Sequence, residues 1–169
     1  MSTRCNVLLR TPEGSAIWFY RHGDGYPSSA GRALDSLYTA HIVRFSSGSR
    51  GWAWIGDFAE RMILARDDTG DVIWQLTAGP HDDIEYCYII DFPGFEDDGN
   101  KVENYVSNVN KLKFRWAGGG YGKDIVARAE AQRPLTPEEF RKSIYRKNAD
   151  EYRDSDGTAP SLSSEETKA

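Results

Sequence analysis

Ile84-Glu85-Tyr86-Cys87-Tyr88-Ile89-Ile90-Asp91 is the most strand-like stretch of this 169-residue chain, and the fold is read outward from it. Ile84, Tyr86, Tyr88 and Ile90 recur at steps of two, which predicts that they share one face of a strand. Upstream, residues 4–10 (Arg-Cys-Asn-Val-Leu-Leu-Arg) and 16–22 (Ala-Ile-Trp-Phe-Tyr-Arg-His) also read as strands. Thr11-Pro12-Glu13-Gly14-Ser15 between them carries Pro and Gly turn chemistry and predicts a hairpin. Val72-Ile73-Trp74-Gln75-Leu76-Thr77 follows the turn Asp67-Asp68-Thr69-Gly70, and weaker strands are expected near 102–106 and 112–117, beyond a turn at Asp97-Asp98-Gly99-Asn100.

Helices punctuate these strands. Ala33, Leu34, Leu37, His41 and Phe45 recur at three- and four-residue steps, predicting a helix over about 30–46, with Ser29 placed to cap it and Gly48 to end it. A shorter helix is expected over Asp57 to Arg66, with Phe58, Met62 and Ala65 on one face. Thr136-Pro137-Glu138-Glu139 combines a capping Thr, a Pro at the first position and a Glu three residues after the cap, and starts a helix expected to reach about 148. The expected fold is α+β: an antiparallel sheet of about six strands with three helices, chiefly on one face. Residues 1–149 make one domain. Residues 150–169, rich in Ser, Asp, Glu and Thr without periodicity, read as a disordered acidic tail.

The formal net charge is −5 and is unevenly placed: +3 over residues 1–56, −10 over 57–103, +6 over 104–149 and −4 over 150–169. The total argues against a chain that coats nucleic acid by bulk charge. An anion site would have to be built from the first and last parts of the folded chain. No apolar run reaches the 18–20 residues or so that span a bilayer, so no membrane partner is expected. The opening Met1-Ser2-Thr3-Arg4-Cys5-Asn6 lacks the features of a secretory signal. The two cysteines, Cys5 and Cys87, show no CxxC spacing and fit buried thiols in a reducing cytoplasm, with a bridge between neighbouring strands as the alternative.

Four segments carry candidate chemistry. In Tyr20-Arg21-His22-Gly23-Asp24-Gly25-Tyr26-Pro27, a strand end delivers an imidazole and a carboxylate two residues apart, just before the N-terminus of a helix that favours anions. His22 can move a proton or donate to a phosphate, and Tyr20 or Tyr26 can stack on a base or sugar; turn shaping by Asp24, Gly25 and Pro27 is the plainer reading. In His81-Asp82-Asp83-Ile84-Glu85, His81, Asp83 and Glu85 suit turn chemistry, a polar pocket wall, or a hard-metal or acid–base cluster. Trp116-Ala117-Gly118-Gly119-Gly120-Tyr121-Gly122-Lys123-Asp124, followed by a helix-like run, falls short of a nucleotide-hydrolysing phosphate loop at Ala117 and Asp124. Its amides beside Lys123 can still hold a phosphate, or the segment is a plain connector. Arg141-Lys142 and Arg146-Lys147 place basic pairs on the last helix, as a solvated face or a surface for an acidic partner.

Three of these stretches taken together, Ser2-Thr3-Arg4-Cys5-Asn6-Val7, Tyr20-Arg21-His22-Gly23-Asp24-Gly25-Tyr26-Pro27 with Gly31, and Asp83-Ile84-Glu85-Tyr86-Cys87-Tyr88, resemble an uncharacterised family of small phage and bacterial proteins. Its pattern is a Tyr-x-His-Trp-Asp-Gly-Tyr-Pro segment and an Asp-Ile-Glu-Tyr-x-Tyr strand. The resemblance covers about residues 2–92 and departs at Gly23, where the family carries Trp. It implies a small intracellular domain, often phage-borne, with host takeover or anti-defence as the associated role and no activity to transfer.

The expected function is therefore binding rather than catalysis, directed at a small anionic, nucleotide-like ligand or at a host defence protein. Tyr20, Arg21, His22, Asp24, Tyr26, His81, Asp83, Glu85, Tyr86, Tyr88 and Lys123 are the candidate ligand contacts. No cofactor and no metal are expected, and homo-oligomerisation is left open. The alternatives are a hydrolase or phosphodiesterase using His22, Asp24 and His81, metal-assisted or not, and a protein or nucleic-acid interaction module acting through the basic last helix.

Overall fold

The computed structural model describes residues 2–46, 55–93 and 112–145, with the side chains of 41–46 excluded. The proposed strand near 102–106, the Asp97–Asn100 turn, the faces of His41 and Phe45, Gly48, Arg146-Lys147 and the 150–169 tail lie outside the described residues. The described chain is α+β, as expected, but its sheet is mixed and has five strands: β1 (Cys5–Arg10), β2 (Ala16–Arg21), β3 (Gln75–Thr77), β4 (Tyr86–Asp91) and β5 (Lys113–Gly118), in the order β3-β2-β1-β4-β5. β1 runs parallel to β4, with Cys5 opposite Tyr86 and Leu9 opposite Ile90, while the other pairs are antiparallel. That parallel pair corrects the expectation of an antiparallel sheet, which the other three pairings follow. The chain between β1 and β4 is long enough to cross over, and it does so through β2, two helices and β3.

Among the described residues four α-helices accompany the sheet: α1 (Arg32–Ser46), α2 (Ile55–Leu64), α3 (Lys123–Ala131) and α4 (Pro137–Ile144). Three of them cover one face of the sheet and α3 alone covers the other. Against α1, α2 and α4 the sheet turns Cys5, Val7, Leu9, Phe19, Tyr88, Ile90, Phe114 and Trp116. Against α3 it turns Leu8, Cys87, Ile89 and Ala117. A strand covered on both sides is buried throughout, and Tyr86 to Ile90 are all buried. Ile84 is packed with Cys87 and Ile89, on the face opposite Tyr86 and Tyr88, contrary to the period-two reading. The cause is local: the amides of Glu85 and Tyr86 both donate to the Arg4 carbonyl, at 3.0 and 3.2 Å, so an extra residue enters ahead of the ladder and resets the alternation.

Helix α1 is entered through a π-helical turn, Pro27–Gly31, with Tyr26 rather than a serine in the capping position. Ser29 instead accepts a hydrogen bond from Arg21 Nη2 at 3.1 Å. The last helix is locked onto the sheet by aromatic stacking of Phe114 on Phe140 at 4.4 Å and by Trp116 Nε1 donating to Ser143 Oγ at 3.1 Å. It is tied to α1 by Arg141, whose Nε lies 3.1 Å from both oxygens of the buried Asp35 carboxylate. Arg141 thus serves a helix pair, and Lys142 lies 3.9 Å from Glu138. The two cysteines are buried and free, because Cys5 faces the α1 side of the sheet and Cys87 the α3 side. Burial pushes the Cys5 thiol up to about 12 and raises that of Cys87 as well, leaving both as inert apolar groups. No helix of the described residues is long and apolar enough to cross a membrane.

At α4 the capping box is complete: Glu139 N–H donates to Thr136 Oγ1 at 3.2 Å, and Thr136 N–H donates to Glu139 Oε1 at 3.1 Å. That backbone donor, aided by Arg133, holds the Glu139 carboxyl below the ordinary glutamate range. Folding therefore gains from this ionised group above the ordinary range and loses the gain as pH falls through the lowered folded value. Thr136→Ala should cost about 1 kcal/mol in urea unfolding at neutral pH. The stability gap between the native chain and Glu139→Ala should narrow on acidification from pH 7 to pH 3.

Candidate functional site

Where β2 and β5 end and β1 and β4 begin, three separated stretches of sequence meet. Thr3 and Arg4 run beside the loop after β2: Gly25 N–H donates to the Thr3 carbonyl at 2.8 Å, and Ser2 Oγ donates to the His22 carbonyl. On the other side, Arg4 carries the doubled hydrogen bond to Glu85 and Tyr86. Tyr88 Oη reaches back under the sheet to donate to the Gly25 carbonyl at 2.8 Å. Gly25 is there because nothing larger fits: a Cβ would lie 2.7 Å from the Arg4 carbonyl carbon and 2.9 Å from the Cys5 nitrogen.

Tyr20 is the centre of the resulting cluster. It is 5% exposed, and its ring stacks against His81 with centroids 3.9 Å apart and planes inclined by 13°. Its hydroxyl lies 3.1 Å from His22 Nδ1 and 3.3 Å from Asp83 Oδ2. Asp83 Oδ2 also pairs with Arg4 Nη1 at 3.2 Å, while His81 Nδ1 lies 3.9 Å from Asp83 Oδ1. That Oδ1 atom is buried and has no hydrogen-bond partner, as does Arg4 Nε. Burial, then the Asp83 charge, raises the Tyr20 phenol above its ordinary range, so the hydroxyl remains a donor.

One phenolic proton cannot serve both neighbours. Given to the ionised Asp83, it makes the stronger, charge-assisted bond, and His22 must then carry its proton on Nδ1 and donate to the phenolic oxygen. Nε2 of His22 is left as a lone-pair acceptor on an exposed ring. His81 likewise turns Nδ1 towards Asp83, leaving Nε2 for an incoming group. The loop carrying His81 is fixed from beneath by Asn6, fully buried in β1: its side chain donates to the His81 carbonyl and accepts from the His81 amide, both at 3.3 Å. Lys123 stands at the rim, 3.7 Å from Asp82, with both side chains about three-quarters exposed. Such a pair contributes little energy and is easily exchanged for a ligand charge.

Of the sequence-predicted residues, Tyr20, His22, His81 and Asp83 come together, with Lys123 at the edge and Glu85 beside Arg4. Asp24 instead accepts from Tyr26 Oη at 3.1 Å, an exposed local contact. Arg21, Tyr86 and Tyr88 lie on the opposite face: Arg21 is 5.2 Å over the Trp74 ring, Tyr86 is buried, and Tyr88 stacks on Trp116. The glycine run is shaped by backbone needs. A Cβ at Gly118 would run into the Tyr86 ring, and Gly119 and Gly122 adopt φ of 86° and 75°. Among the described residues no three His, Cys, Asp or Glu side chains are grouped to hold a metal ion. Arg4 and Asn6 were missed by the motif reading, although a polar Asn between Cys5 and Val7 in an apolar strand is itself a signal for a buried polar partner.

In comparisons with known proteins, no family model, curated protein or solved structure matched this chain.

Two measurements check this geometry. Nitrogen-detected NMR of the imidazoles should find neutral His22 protonated on Nδ1 in the native chain and shifted towards the Nε2-protonated form in Tyr20→Phe. Gly25→Ala should destabilise the fold by about 1–3 kcal/mol in urea unfolding, because the added methyl meets backbone rather than a movable side chain.

Proposed function

We propose that the chain works by binding a small anionic, nucleotide-like ligand at the Tyr20–His22–His81–Asp83 cluster. The observation that carries this reading is the convergence of two imidazoles, a phenol and a guanidinium at one end of the sheet, from segments as far apart in sequence as Arg4 and Asp83. Folding gains little by assembling such a group there when apolar residues fill the neighbouring positions. Trp18 lies two residues before Tyr20 on the same face of β2, is only partly buried, and offers an indole surface for a planar base. Arg4, Lys123 and protonated His81 meet a phosphate, while the Nε2 lone pair of His22 accepts from a ligand hydroxyl or amine. The resemblance of the Ser2–Val7, Tyr20–Pro27 and Asp83–Tyr88 segments to small phage proteins favours a cytoplasmic accessory role of the host-takeover or anti-defence kind.

Titration calorimetry against adenosine monophosphate, a 3′,5′-linked dinucleotide and inorganic phosphate tests the reading. At least one nucleotide should bind, and His22→Ala should weaken it about 10-fold, equivalent to about 1.4 kcal/mol. Silence from every member, or affinities untouched by His22→Ala and His81→Ala, would remove the cluster as a ligand site.

A further inference from the structure

We propose that the same cluster hydrolyses a phosphodiester without a metal, with His22 as general base and His81 as general acid; this rests on the cluster being the ligand site proposed above. Both imidazoles turn Nδ1 to one hub, Tyr20 and Asp83, and so both keep Nε2 for chemistry. Their centroids lie 6.1 and 3.9 Å from that of Tyr20, so the rings are at most about 10 Å apart, near enough to flank one phosphoryl group.

The hub gives the two rings different neighbours. His22 donates its Nδ1 proton to Tyr20 Oη, and as general base it uses the lone pair on Nε2. His81 Nδ1 lies 3.9 Å from Asp83 Oδ1, a buried carboxylate oxygen with no hydrogen-bond donor, so the carboxylate's charge faces the ring without a hydrogen bond between them. An imidazolium there presents Nε2–H outward. Among the described residues the serine beside His22, Ser2, has its hydroxyl turned to the His22 carbonyl, and water is taken as the attacking group. The substrate class follows from charge: a phosphodiester carries the negative charge that Arg4 and Lys123 meet, whereas a neutral ester has no use for them.

In the reaction, His22 Nε2 takes a proton from water as its oxygen attacks phosphorus. The bond from phosphorus to the leaving sugar oxygen breaks, and that oxygen receives the His81 Nε2 proton. The products are a phosphomonoester and an alcohol. His22 then releases a proton to solvent and His81 takes one up, restoring the starting state. Tyr20 and Asp83 touch no reacting atom and are positioning residues.

The choice of leaving group separates the two roles. The full chain, in excess chelator, is assayed on a 3′,5′-linked dinucleotide, whose alkoxide needs a proton to leave, and on the p-nitrophenyl ester of thymidine monophosphate, whose phenolate does not. His22→Ala should slow both substrates at least about 100-fold. His81→Ala should slow the dinucleotide to a similar degree and the nitrophenyl ester less than about 5-fold. Tyr20→Phe should lower kcat about 10-fold with KM unchanged, and amide NMR spectra of each variant verify the fold. Hydrolysis no faster than in buffer while imidazole shifts report bound dinucleotide overturns the catalytic proposal alone. So does a rate that survives both histidine substitutions, or an equal loss on the two substrates in His81→Ala. Absence of binding by both substrates overturns the ligand-site reading and this proposal with it.

Discussion

The parallel pairing of β1 with β4 is the constraint on which the remaining structure rests. Two neighbouring strands running the same way need a long crossover, and here β2, both early helices and β3 are spent on it. Both strands are central, so both of their faces must be covered. That requirement places α3 on one side of the sheet and α1, α2 and α4 on the other. It also fixes where polar chemistry can stand. Within β1 the one uncharged polar residue, Asn6, is fully enclosed, and its amide can be satisfied only by a backbone brought to it. The 81–83 loop is that backbone.

Much of the local structure was legible in the sequence. The hairpin of β1 and β2, the capping box at Thr136 and the short helix around Phe58 all follow from spacing and turn chemistry that act within a few residues. The sheet order was not legible, because parallel pairing of residues about 80 apart leaves no local trace. Nor was the reversal at Ile84, where one residue inserted before the ladder inverts a face. The site divides in the same way. Tyr20, His22, His81 and Asp83 stood out as polar residues at strand ends. Tyr86 and Tyr88 had the same composition but belong to the β4 ladder itself, where parity sends them into the core. Arg4 becomes part of the site only through Asp83, a contact invisible without the fold.

Within the cluster, Tyr20 acts as more than a wall. A buried phenol held in its neutral form has one proton and two claimants, and the charge of Asp83 decides between them. That decision passes to His22 as a choice of tautomer and to His81 as a vacant acceptor. A single carboxylate thereby stands at the junction of two imidazoles, one reached through the phenol and one directly. Arg4 closes the chain by pairing with Asp83, and the doubled hydrogen bond at its own carbonyl fixes the backbone from which its guanidinium extends.

The cysteines, placed on opposite faces of the same strand pair, carry a consequence for how the molecule opens. Cys5 and Cys87 belong to strands side by side, yet each thiol is sealed by a different helical layer. A thiol reagent that reached Cys87 alone would report α3 lifting away, and one that reached Cys5 alone would report departure of the α1 layer. Simultaneous modification would mark dissolution of the whole sheet. The chain thus carries two built-in reporters, one for each side of its core, that separate partial from global unfolding without any added label.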